Sequence, residues 1–129
     1  MRQALPQRKA AKQVAEQLQT LEGRTHPQHY LRYAAHVFLH FALKETDRPA
    51  EAAGHGERVL ALLEAVLPRH HQDKGVFSQE TAEVYERAAA GAAGPDAPAQ
   101  RARAAGLRQA AREQFLVCNG PMHPNAAAP

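Results

Sequence analysis

Apolar residues recur along this chain at spacings of three and four and nowhere in strict alternation, so the pattern predicts helices and no strand. Ala10, Val14, Leu18 and Leu21 make one stripe, which places a first helix over 6–22, with Pro6 in its first turn and Gly23 as its stop. A second helix, over 25–46, opens on the capping pair Thr25 and Gln28, with Pro27 in the permissive first turn. On its wheel Leu31, Ala34, Ala35, Phe38 and Ala42 share a face, flanked by Tyr30, Val37 and Phe41 on one side and Leu39 on the other. That face is wide and holds most of the bulk in the chain, so this helix is expected to be central and largely enclosed.

Gly54 and Gly56 bracket His55, and each glycine costs about 1 kcal/mol inside a helix, which predicts a turn or kink there. Val59, Leu62, Leu63, Val66 and Leu67 then set a third helix over 56–67, halted by Pro68. Residues 69–75 read as a polar loop, and Ser78 reads as the cap of a weakly apolar fourth helix over 79–90, with Phe77 stapled onto Ala82. After a Gly- and Pro-rich linker, Asp96 caps a fifth helix over 97–118, lined by Ala104, Leu107, Ala111 and Phe115. Residues 119–129 show no regular pattern and are expected to be a disordered tail.

The expected fold is therefore all-α: one domain over 1–118, an antiparallel bundle or helical-hairpin array of about five helices, without a sheet. Its core is expected to centre on Leu31, Phe38 and Phe41 of the second helix with Leu62, Leu63 and Val66 of the third. If Phe38 were fully buried, its truncation to Ala would cost about 3–5 kcal/mol. Composition changes this picture in one respect. The 129 residues are 44% hydrophobic, but much of that is Ala, with four Phe, three Tyr and no Trp. A core built that way is thin, which favours burying more surface by dimerisation.

The formal charge of +3 is unevenly spread. Residues 1–24 carry five basic and two acidic side chains, 98–129 carry four and one, and the middle carries seven and ten. Basic ends around an acidic centre suit an anionic partner, or a second copy meeting head to tail. The single cysteine, Cys118, excludes an internal disulfide framework. No stretch approaches the ~20 apolar residues of a membrane helix, and the N-terminal residues lack a signal-peptide core. A soluble, cytoplasmic protein is the expectation.

Candidate chemistry is sparse. His29, Tyr33, His36 and His40 fall together on the side of the second helix opposite Leu31 and Phe38. His36 and His40 have the i,i+4 spacing at which two imidazoles share a metal ion, so His29, His36 and His40 are candidate ligands for a transition metal. A further ligand would have to come from His55, His70, His71 or Glu64. The metalloprotease HExxH and the di-iron Glu-x-x-His patterns are both absent. Cys118 and His123 have no oxyanion hole or orienting group in the pattern, and no glycine-rich phosphate loop occurs, so no catalytic residue is assigned. Arg101, Arg108 and Arg112 share a face of the fifth helix and, with Arg8, Lys9 and Lys12 near the start, are candidate phosphate contacts.

Three functional expectations follow. The first is a non-enzymatic helical interaction module, homodimeric or acting as an adaptor or regulatory protein on another chain, without a cofactor. The second is a nucleic-acid-associated protein using the basic ends. The third is a metal-binding or metal-sensing bundle using the histidine stripe.

Overall fold

The computed structural model describes residues 4–24, 30–91 and 95–120. Five helices follow one another: α1 Ala4–Arg24, α2 Tyr30–Glu45, α3 Pro49–Val66, α4 Gln72–Gly91 and α5 Asp96–Asn119. Among the described residues there is no strand. Helices next to each other in sequence pack side by side, α1 on α2, α2 on α3, α3 on α4 and α4 on α5, as short connections between antiparallel helices dictate.

The helix ends follow from local chemistry. The guanidinium of Arg32 reaches back to the carbonyls of Leu21 and Glu22, supplying donors to the end of α1. The end of α2 is a Schellman turn: the Arg48 amide donates to the Leu43 carbonyl at 2.9 Å, and Asp47 takes the left-handed conformation at φ 59°. Pro49 opens α3 at a position where its missing N–H costs nothing. At α4 the cap is His71, whose Nδ1 accepts the Asp73 amide at 3.1 Å. Gln114 of α5 holds the same junction, accepting from the His71 amide at 2.9 Å and donating to the Arg69 carbonyl at 3.0 Å.

Two boundaries differ from the sequence reading, both because of glycine. α3 runs unbroken through Gly54–His55–Gly56, starting at Pro49 rather than 56. α4 starts at Gln72 rather than 79, so residues 72–75 are helical, and Ser78 is a buried interior residue instead of a cap. Tertiary contact decides both cases. A methyl group on Gly56 would collide with Thr81 Oγ1 and lie 3.0 Å from His40 Nδ1, and one on Gly75 would lie 3.1 Å from the Phe115 ring. These glycines let helices approach closely, and that packing outweighs their propensity cost. Gly54, by contrast, has open space around its Cβ position. Gly54→Ala is therefore expected to raise stability by about 0.5–1 kcal/mol, whereas Gly56→Ala should lower it by about 1–3 kcal/mol through overpacking. Thermal unfolding of the two variants checks this, and melting shifts of the same sign would refute the packing role of Gly56.

The core is mostly small side chains. One cluster joins Ala11 and Leu18 of α1 to Leu39, Ala42 and Leu43 of α2, Ala52 and Ala53 of α3 and Val84 of α4. A second gathers Val59, Leu63 and Phe77, and a third Ala82, Ala104 and Leu107. Two bidentate ion pairs brace α5 from outside, Arg103 to Glu57 and Arg108 to Glu86.

Candidate functional site

The orientation of α2 is the main departure from the hydrophobic pattern. Leu63 is in the core as expected and Leu62 is half-buried, but Leu31, Phe38, Phe41 and Val66 are exposed, Phe38 at 42% and Phe41 at 40%. The buried face of α2 is instead His36, Leu39, His40 and Leu43, rotated from the expected face by about a third of a turn. The cause is the small-residue surface of the neighbours. Ala11, Ala52 and Ala53 leave room for Leu39 and Leu43 but no deep hollow for three aromatic rings. Phe38 thus carries far less of the fold than a buried ring would.

That rotation carries two imidazoles inward, to 6% and 0% exposure for His36 and His40. His36 meets His55 of α3, the two Nδ1 atoms 2.9 Å apart, so one donates and the other accepts. Such a pair holds one proton between two nitrogens and exists only while at least one ring is neutral. Burial, reinforced by the neighbouring His55, drops the His36 pKa to about 4, and burial also lowers those of His40 and His55. His40 donates its Nδ1–H to the Ala52 carbonyl at 2.9 Å. Its Nε2 lies 4.0 Å from Glu80 Oε2 and, like Thr81 Oγ1, is buried without a hydrogen-bond partner.

Around this interior run charged side chains linking α2 to α4. Lys44 bridges Glu80 at 3.0 Å and Glu83 at 3.2 Å. Burial alone would lower its pKa, but the hydrogen bonds to the two carboxylates outweigh it and raise it. Tyr33 is half-buried, and burial with the charge of Asp73 raises its phenol pKa. On the far side Arg103 holds Glu57 below the usual carboxylate range, assisted by a 3.1 Å bond from the Tyr85 hydroxyl.

Of the candidate ligands, His29 lies outside the described residues. His36 and His40 are on one buried face, but their Nδ1 atoms are aimed at different partners, His55 and Ala52. Among the described residues no three His, Cys, Asp or Glu side chains converge in a way that could hold a metal. His55, which the sequence offered only as an outside ligand, is the half-buried residue that pairs with the buried His36. Its helix continuity across Gly54 and Gly56 was the missing signal. His70 is exposed, Cys118 is exposed at the end of α5, and His123 lies outside the described residues.

The basic residues have separate employments. Arg108 is engaged by Glu86, Arg112 by Gln109 of its own helix, and Arg101 is exposed. Arg8, Lys9 and Lys12 are exposed on α1. Arg8 and Lys12 stand on the edge of a groove of about 410 Å³ between α1 and α3, floored by α2 and bounded at its ends by Arg48, Glu51 and His55. No helix among the described residues is long and apolar enough to cross a membrane. Comparisons of the chain with protein-family models, curated proteins and solved structures find no match.

Proposed function

We propose that this protein is a non-enzymatic interaction module that associates with a second copy of itself through the outer face of α2. The observation that carries the reading is the exposure of Tyr30, Leu31, Phe38 and Phe41 on one helix, while that helix buries its histidines. A large apolar stripe left in water by a chain whose core is built largely from alanine is the mark of an interface. Covering the part of Leu31, Phe38 and Phe41 that is still exposed, 40–47% of each, gains about 1 kcal/mol apiece.

The stripe suits a two-fold pairing. Phe38 lies near the middle of Tyr30–Glu45, so an axis passing beside it sets Phe38 against its own copy and Leu31 toward the opposite end of the partner helix. Ala34, on the same side, lets the two backbones come close. The antiparallel arrangement also opposes the two helix dipoles, which favours it over a parallel one. The few charges on this face, Glu45 among them, sit at its margin, as they do at the rim of ordinary interfaces.

The expected result is a particle of twice 14.1 kDa in light scattering at a loading of about 100 μM, well above a micromolar dissociation constant. Phe38→Glu should give a monomer with unchanged helical signal, because the site is exposed within each copy. A wild-type protein that remains monomeric at that loading would remove the basis of this reading.

A further inference from the structure

We propose that the groove between α1 and α3 is a binding site for a small amphipathic anion, a carboxylate carrying a short apolar chain. The groove floor is apolar, made by Ala11 of α1 and by Leu39 and Leu43 of α2. Its rim is cationic, with Arg8 and Lys12 on one side and Arg48 across from them. The one carboxylate there, Glu51, is already taken by Arg48. With Arg48 and Glu51 offsetting each other, Arg8 and Lys12 leave the rim a positive surplus. The volume of about 410 Å³ falls among those of small-molecule sites, and an apolar floor with a few convergent polar groups is their usual composition.

A second observation supports a ligand. Arg8 and Lys12 are one turn apart on α1, a like-charge spacing that disfavours the helix. No acid among the described residues pairs with either of them. Two uncompensated cations over an apolar floor are a cost in the empty protein that a bound anion converts into charge-assisted hydrogen bonds. A neutral hydrophobe would fill the floor and leave the rim unanswered. An inorganic anion would do the reverse.

The site is distinct from the outer face of α2, so it stands or falls independently of self-association. The test is titration of sodium octanoate into isotope-labelled protein, followed through backbone amide shifts. Amides of Ala11, Leu39 and Leu43 are expected to move along one saturable curve, with a dissociation constant of roughly 0.1–1 mM for a ligand of about ten heavy atoms. Octanol and inorganic phosphate, each tested alone, should bind about tenfold more weakly or worse. The exposed double variant Arg8→Gln/Lys12→Gln should weaken octanoate by a similar factor while keeping the wild-type helical signal and a melting temperature no lower than that of the wild type. The proposal is overturned by non-saturable shifts up to about 10 mM, by octanol or phosphate binding as well as octanoate, or by undiminished binding in the double variant.

Discussion

Acidification from about pH 6.5 to about pH 4 is expected to destabilise the fold by about 3 kcal/mol through His36 alone. In the unfolded chain that imidazole takes up a proton near its ordinary value of 6.5, whereas in the folded protein it does so only near 4. Between those values the unfolded state binds the extra proton, so stability falls as pH falls, by about 2 kcal/mol already at pH 5, and is fully present above about pH 7. His40 and His55 are shifted in the same direction and add to the loss. The structural reason is the 2.9 Å contact between His36 and His55, which becomes two opposed N–H donors once both rings are charged. The groups facing the pair do not cancel that effect. Glu22 of α1, 3.9 Å from His36 Nε2, and Glu51 of α3 favour protonation, while Arg32 and Arg58 oppose it. Glu57 and Glu86, held low by their arginine partners, lose their contribution only at more acid pH. Urea unfolding at about pH 7.5 and about pH 5 measures the difference, and His36→Gln should reduce it, leaving the part due to His40 and His55. Equal stability at the two pH values would show that the histidines are not held neutral by burial.

Phe115→Ala is expected to cost about 3–5 kcal/mol. Phe115 is 2% exposed and lies on α5 against the backbone of α4 at Gly75. Gly75, which faces the ring, has no side chain to fill the hole the ring leaves, so a cavity remains there and adds to the cost. The same geometry couples the two positions. In the native protein a methyl at position 75 lies 3.1 Å from the ring and 3.2 Å from the Gln114 Cβ, so Gly75→Ala should be neutral or destabilising. In the Phe115→Ala background only the Gln114 contact remains, and the substitution should be more favourable than in the native protein by about 1 kcal/mol. A double-mutant cycle by chemical denaturation reads both effects. Phe115→Ala costing less than about 1 kcal/mol would mean that the α4–α5 seam is not part of the cooperative core.

The number and order of the helices were legible in the spacing of apolar residues, and α1 and α5 run to within two residues of the expected ends, while the expected start of the second helix at 25–28 lies outside the described residues. Pro68 follows the C-cap of α3 as expected, whereas Asp96, expected as the cap of α5, is its first helical residue, and Pro95 stands at the N-cap without a side-chain hydrogen bond. What misled the reading was glycine and histidine. Gly56 and Gly75 looked like breaks, because propensity registers their cost and is blind to the ring or hydroxyl that needs the space. His36 and His40 counted as polar, so the stripe His36–Leu39–His40–Leu43 was discounted, although its spacing of three, one and three is that of a buried helix face. An imidazole can be enclosed once it is neutral and hydrogen-bonded, and the partners that allow it here, His55 and the Ala52 carbonyl, belong to another helix.

The candidate basic residues divide along the same line. Arg101, Arg108 and Arg112 share a helix face in any reading of the sequence, but only the packing of α4 against α5 gives Arg108 to Glu86. Arg8 and Lys12 were visible as candidate anion contacts, whereas the apolar floor beside them is made jointly by α1 and α2.

The sequence by itself determined that this is a helical protein with a thin, alanine-rich core, because those properties depend on periodicity and composition. Only the tertiary structure decided which side of α2 is inside. Both sides are compatible with a helix, and the choice rests on what α1 and α3 can accommodate. The result puts aromatic rings on the surface, pairs histidines in the interior and opens a cationic groove beside them.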